Sequence, residues 1–241
     1  MSQPEVVQHS SRSEKIRAFF KGAATMIPLT VAVLPWGILT GSLAIESGFD
    51  PVQSQALSGV IFAGAVQLAI MGMIQAGVGL GSILISALLI TSRHFLYSMV
   101  MRNRVSSLPL RWRLSLGFLL TDELFAIAHP GQLKRFDRWY ALGGGLCFYF
   151  GWNLATLGGI IAGKSIENLD TLGLDFAIAA TFIALVVPTI KNTSILVCVL
   201  TALVTSVICE VMNMPGLLIS APLSMLTGFA YAKATGQEVG K

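Results

Sequence analysis

The sequence predicts an all-α protein, a polytopic bundle of transmembrane helices with seven to eight membrane segments, at least one of them discontinuous or re-entrant. Hydrophobic residues make up 54% of the 241 residues and only 12% are charged, against about 25% charged residues in ordinary soluble domains. Apolar runs of about 20 residues, the length a helix needs to cross a bilayer, follow one another along nearly the whole chain. Both observations indicate a chain that lies in the lipid bilayer.

The apolar runs define one membrane domain between two polar tails. We predict an N-terminal tail at 1–21, a single transmembrane domain at 22–233 and a C-terminal tail at 234–241. The candidate segments within the domain lie at about 22–45, 53–76, 78–101, 114–130, 138–162, 173–190, 194–212 and 215–232.

The N-terminal tail is predicted to lie on the cytoplasmic side. It carries four basic residues immediately before the first segment, and positive charge flanks membrane segments mainly on that side; these are Arg12, Lys15, Arg17 and Lys21. Ser11 and Glu14 have the spacing of a capping box. Ile16, Phe19 and Phe20 follow, so we expect a short amphipathic helix on the membrane surface.

Prolines interrupt several segments, and we expect helix breaks where they occur because proline lacks a backbone N–H. They are Pro28, Pro35, Pro188, Pro215 and Pro222. The stretches "PLTVAVLPWGILTG" at 28–41 and "PGLLISAPLSMLTG" at 215–228 share two prolines and a Leu-Thr-Gly at the same offsets. This echo raises the hypothesis of an inverted repeat, as in many transporters; a chance match is the alternative.

The charges of the connections between segments agree with the positive-inside rule only in the second half of the chain. After the fourth segment basic and acidic connections alternate, which places the C-terminus in the cytoplasm. If the first three segments all cross, the basic stretch "RNRVSSLPLRWR" at 102–113 lies outside, against the rule. Either the rule fails there or an early segment does not cross simply. The fourth segment, short and containing Asp122 and Glu123, suits a broken or re-entrant element.

Other protein classes fit this composition poorly. The net charge of +4 arises from short basic connections and not from one basic face, so the sequence does not indicate a nucleic-acid partner. Cys147, Cys198 and Cys209 all fall in apolar runs and are expected to be small buried hydrophobic residues. No metal or other cofactor is predicted.

Four ionisable residues lie inside apolar segments, where a charge costs about 2.5–3.5 kcal/mol on insertion scales; they are Arg93, His94, Asp122 and Glu123. Tyr97 is one helical turn beyond Arg93. We predict that Arg93 pairs with one carboxylate, and favour Asp122 because its shorter side chain is held more tightly. Glu123 is then left to face an aqueous path, where it binds a substrate ammonium group or carries a proton. The alternative is that the pair only fixes helix packing.

Uncharged polar and small residues in the segments allow two interpretations. Gln67 and Asn153 either join helices through hydrogen bonds or contact a ligand. Glycine pairs at helix-packing spacing, together with the run at 143–145, indicate close helix contacts; the pairs are Gly37 with Gly41, Gly77 with Gly81 and Gly159 with Gly163.

Three motifs resemble the AzlC family of branched-chain amino-acid exporters: "FAGAVQ" at 62–67, "SRHFLY" at 92–97 followed by Arg102, and "LTDELFA" at 120–126. Val66 and Thr91 depart from the family pattern, which often has Ser and Asn or Asp there. The resemblance implies a permease of the bacterial inner membrane that exports valine, leucine, isoleucine or analogues. It also implies a small second membrane subunit of the AzlD type.

The residues suit this function, because a zwitterionic amino acid needs a cation or helix end, a carboxylate and an apolar pocket. We therefore predict an amino-acid exporter driven by protons. A membrane scaffold or accessory subunit without transport activity is the alternative, and a passive channel is a weaker one. An enzyme is not predicted: Ser92 and Ser98 flank His94 in sequence, but neighbours in sequence are not thereby aligned as nucleophile and base.

Overall fold

A computed structural model describes residues 11–129, 135–165, 183, 187, 190, 192–212, 214 and 216–236. Every regular element in these ranges is an α-helix, which confirms the all-α prediction for this part of the chain. Most of the segment expected at 173–190, together with Pro188 and Pro215, lies outside the described residues.

The helices are α1 (Arg12–Glu46), α2 (Pro51–Val60), α3 (Gly64–Gln75), α4 (Leu80–Val105), α5 (Leu110–Phe118), α6 (Asp122–Ala128), α7 (Arg138–Ser165), α8 (Thr193–Val211) and α9 (Gly216–Thr235). They form two compact units. The first contains α1 to α3, the part of α4 from Ala87 onward, and α5 to α7; the second contains the start of α4 with α8 and α9.

Within the described ranges, four helices are long and apolar enough to cross a bilayer, namely α1, α4, α7 and α8. α3 is apolar but shorter. Large apolar side chains project from these helices, such as Leu88, which is 71% exposed. The protein is therefore a multi-pass membrane protein whose apolar outer surface is suited to lipid.

α1 begins at the predicted capping box and runs through two prolines. The Glu14 amide donates to Ser11 Oγ at 3.2 Å, and the Ser11 amide donates to Glu14 Oε2 at 3.0 Å. Pro28 and Pro35 lie inside the continuous helix α1, and Pro222 lies inside α9. The breaks expected at these three prolines are therefore wrong.

The physical reason is that a proline removes only one helical hydrogen bond, and packing against a neighbouring helix compensates in membrane proteins. α1 packs along α7 over nearly its whole length. Contacts advance in the same direction on both helices, from Gly22 against Tyr140 to Ile45 against Gly163. The two helices are therefore parallel.

Glycine permits this close approach of α1 and α7. A Cβ atom at Gly22, Gly41, Gly143 or Gly159 would overlap a backbone carbonyl oxygen of the facing helix. Ser42 Oγ also donates to the Gly159 carbonyl across the interface at 3.1 Å.

The predicted packing role is thus confirmed for Gly37, Gly41, Gly159 and Gly163, which face the other helix of the pair. It is also confirmed for the run at 143–145, where Gly143 and Gly144 meet α1 and Gly145 meets Leu119 and Leu124. It is wrong for Gly77 and Gly81, where a Cβ would meet no described residue within 4 Å. Gly77 instead has a φ of 69°, so it serves the turn that follows α3.

Two of the apolar segments are interrupted. The segment expected at 53–76 consists of α2 and α3 separated at 61–63, where Phe62 has a φ of 42°. A bulky residue in this left-handed region is strained by roughly 1–3 kcal/mol. Its buried ring packs against Phe118, Phe148 and Tyr149 with centroids 5.0–5.9 Å away, and this packing holds the break.

The segment expected at 114–130 is likewise two short helices, α5 and α6, separated at 119–121. Thr121 caps the start of α6, and its hydroxyl accepts a hydrogen bond from the Leu124 amide at 3.3 Å. Leu119 and Leu124 are buried in the same apolar cluster as Phe62 and Trp152. Both interruptions therefore border one core, formed with α7.

Candidate functional site

The intramembrane charges meet between α4 and α6. Arg93 Nη1 lies 2.8 Å from Asp122 Oδ2, and the two side chains remain 37% and 35% exposed. The prediction that Arg93 pairs with one of the two carboxylates is confirmed, and the partner is Asp122. We call Arg93, His94, Tyr97, Asp122 and Glu123 the ion-pair cluster.

The break before α6 places both carboxylates in the first helical turn. Asp122 and Glu123 directly follow the N-cap Thr121, where unpaired amides carry partial positive charge and favour anions. Adjacent helical residues point about 100° apart. The two carboxylates are consequently directed differently: Asp122 meets Arg93, whereas Glu123 lies beside Thr121.

The ion pair leaves hydrogen-bonding capacity unused. Arg93 Nε and Asp122 Oδ1 are buried and have no hydrogen-bond partner within the described part of the chain. One is a donor and the other an acceptor. Buried polar groups are usually satisfied, and exceptions commonly mark a bound water, an ion or a functional role.

A row of aromatic rings borders the pair. Tyr97 stacks on Phe125 with centroids 4.4 Å apart, and Phe125 stacks on His129 at 5.3 Å. The His94 ring meets Tyr97 edge to face at 6.1 Å, and the Tyr97 hydroxyl lies beside the Asp122 carboxylate. Sequence reasoning missed Phe125, although its position one turn after Asp122 on the same short helix was a usable signal.

Gln67 belongs to a different cluster, at the break between α2 and α3. Its side chain is 1% exposed. Gln67 Nε2 donates to Ser58 Oγ at 3.0 Å, and Ser58 Oγ lies 2.9 Å from Thr156 Oγ1 on α7. Gln67 Oε1 has no partner among the described residues.

Asn153 lies in the same layer of α7. Its Oδ1 accepts from Gln55 Nε2 at 2.9 Å, and its Nδ2 donates to the Tyr149 carbonyl at 2.9 Å. We call Gln55, Ser58, Gln67, Asn153 and Thr156 the amide cluster. Its bonds join α2, α3 and α7, as helix-joining polar residues do.

The structure thus divides the predicted site residues between two clusters. Gln55, Ser58 and Thr156 were missed by sequence reasoning. Their signal was spacing: Gln55 and Ser58 are three apart on α2, and Asn153 and Thr156 are three apart on α7, so each pair shares one helix face.

The described residues contain no group of three or more His, Cys, Asp or Glu side chains that could hold a metal ion. Cys147 and Cys198 are half-buried free thiols and Cys209 is a buried one.

The ion-pair cluster offers charged groups and hydrogen-bonding groups. Groups of this kind recognise a small polar organic ligand.

Comparison with known proteins gives one family and several relatives. The model of the AzlC protein family matches residues 28–166. The inner membrane protein YgaZ of Escherichia coli is 28% identical over 77% of this chain and 78% of its own. An uncharacterized membrane protein of Archaeoglobus fulgidus is 32% identical over 74% of this chain and 78% of its own.

The branched-chain amino acid transport protein AzlC of Bacillus subtilis is 26% identical over 77% of this chain and 73% of its own. No solved structure matches. The matched region of the family model includes both clusters and both interrupted segments.

Proposed function

The chain belongs to the AzlC family of membrane proteins, and from this premise we propose that it exports branched-chain amino acids across the bacterial inner membrane. The observation that carries the proposal is the Arg93–Asp122 ion pair, which joins two membrane helices and retains an unmet donor and an unmet acceptor. The name of the Bacillus subtilis relative supports the substrate class.

The chemistry of an amino acid matches this pair. Its α-carboxylate accepts hydrogen bonds from a guanidinium group such as Arg93, and its α-ammonium donates to a carboxylate. The neighbouring rings of Tyr97 and Phe125 offer apolar surface for the aliphatic side chain. A substrate that engages both charged partners loosens the contact between α4 and α6, and in this proposal that change triggers alternating access.

We assign proton coupling to Glu123. It lies next to the ion pair but is not the counter-ion of Arg93, so its carboxyl group can take up and release a proton without breaking that pair. His94 belongs to the same cluster, where its ring contacts Tyr97, and is a second candidate proton carrier. Asp122 remains the fixed counter-ion in this mechanism.

The packing of α1 on α7 supports a specific topology for the first unit. Parallel helices that both cross need an odd number of crossings between them, and α4 supplies one. The two interrupted segments, α2–α3 and α5–α6, therefore both cross or both re-enter on one side. If only one of these two segments crossed the membrane, α1 and α7 would be antiparallel.

We propose that both interrupted segments are re-entrant. With an N-terminus in the cytoplasm, this choice places the basic stretches at 102–113 and 131–138 on the cytoplasmic side, in agreement with the positive-inside rule. If α2–α3 and α5–α6 both crossed instead, the basic stretch at 102–113 would lie outside the cell. Six crossings and two re-entrant segments then make eight membrane segments, with both termini in the cytoplasm.

A small membrane subunit of the AzlD type completes the proposed transporter, and this part rests on the family resemblance. The test is counterflow of labelled valine in proteoliposomes that contain the chain with or without that subunit. We expect exchange with the subunit and a large loss in the Asp122→Asn variant. Full exchange by the chain alone would remove the subunit from the proposal. Absence of exchange in both preparations would favour the scaffold alternative.

A further inference from the structure

A cavity of about 580 Å³ lies between the end of α4, α5, α6 and the start of α7. Its deep wall consists of buried apolar side chains, among them Met101, Leu116, Leu124 and Phe136. Ligand pockets for drug-sized molecules measure about 300–1,000 Å³. The space therefore suits a ligand considerably larger than a branched-chain amino acid.

Among the described residues that line the cavity, the charged ones are all positive. Arg102 and Arg113 line it, and the described residues that line it include no Asp or Glu. A zwitterionic amino acid would find no partner here for its ammonium group. The wall instead suits a ligand with an anionic group at one end and hydrocarbon at the other.

The mouth of the cavity is apolar. Phe95, Met99, Leu110 and Leu114 line it and are 56–67% exposed. In a membrane protein, exposed apolar side chains of this kind face hydrocarbon. A ligand that enters from the bilayer meets this apolar surface first. Its anionic group then reaches the guanidinium groups of Arg102 and Arg113.

We propose that this cavity binds one anionic phospholipid. Its phosphate is held by Arg102 and Arg113, and an acyl chain lies against Met101, Leu116 and Leu124. Basic pockets between membrane helices recognise anionic headgroups by this combination of charge and apolar surface. The bound lipid fills the space between α4 and α5–α6, two of the elements that position the ion-pair cluster.

The test is native mass spectrometry of the purified full chain in detergent with equal amounts of phosphatidylglycerol and phosphatidylcholine. Each cation near an anionic lipid is worth roughly a fivefold preference, so two give a preference of about 25-fold for phosphatidylglycerol. We expect one tightly retained lipid, and loss of the preference in the double variant Arg102→Gln, Arg113→Gln.

A matched control separates the cavity from general attraction between the basic stretch and lipid. Arg104 and Arg111 lie in the same stretch but do not line the cavity. The double variant Arg104→Gln, Arg111→Gln removes the same charge and should keep the preference. An equal loss in both double variants would overturn the proposal.

A second variant tests the apolar part without altering charge. Gly117 lines the cavity, and a Cβ there meets none of the described residues within 4 Å, so Gly117→Leu should reduce retention of the lipid while the protein stays monodisperse. Gly158→Leu, at an equally open helical glycine outside the cavity, is its control. Equal retention of both lipids by the parent, or displacement of the lipid by free leucine, would also overturn the proposal.

Discussion

Replacement of Arg93 by alanine should destabilise the protein because it leaves the Asp122 carboxylate without its counter-ion. Breaking a fully buried ion pair typically costs about 3–5 kcal/mol, whereas an exposed pair contributes about 0–1 kcal/mol. The two side chains are 37% and 35% exposed, which places this pair between the limits. We expect a loss of roughly 1–3 kcal/mol in the free energy of unfolding.

The assay is a double-mutant cycle on protein purified in detergent. Unfolding is followed for the parent, Arg93→Ala, Asp122→Ala and the double variant. The double variant should lose less stability than the sum of the single losses, with a coupling of about 1–2 kcal/mol, since contacting residues typically couple by 0.5–3 kcal/mol. A parallel cycle with the exposed Arg111 in place of Arg93 is the control and should be additive. Additivity in the Arg93 cycle would refute the assignment of Asp122 as its counter-ion.

Three further predictions test the mechanism, the packing and the topology. Glu123→Gln should flatten the pH dependence of export while the protein stays folded, whereas Asp122→Asn should lower folded yield; parental export by both at every pH would refute the assigned roles. Gly159→Leu should abolish folded yield because its side chain overlaps the α1 backbone, whereas Gly158→Leu, with open space among the described residues, should be tolerated; the yield of monodisperse protein measures this, and equal yields would contradict the packing. A cysteine at Ser107 should resist impermeant reagents added outside intact cells; rapid labelling would place 102–113 outside and contradict the re-entrant topology.

The sequence determined the features that depend on local chemistry. The capping box at Ser11 and Glu14 is a short-range hydrogen-bond pattern, so spacing alone predicted it. The pairing of Arg93 with Asp122 was predictable because an unpaired charge in hydrocarbon is costly, which leaves few partners to choose from. The glycines at 143–145, 159 and 163 of α7 were predictable as packing residues, since small residues allow helix backbones to approach closely.

The tertiary structure decided what these local signals leave open. The run at 53–76 has the same apolar composition whether its helix is continuous or broken, so its sequence does not reveal the break. The break at Phe62 exists because aromatic rings from α5 and α7 pack on Phe62 and hold its strained backbone. The prolines of α1 are a converse case, because packing on α7 keeps continuous a helix that local propensity would break. The cavity beside Arg102, likewise, is formed by parts of four helices. Such features depend on contacts between residues far apart in the chain, and a pattern within one segment carries no information about what the other segments place against it.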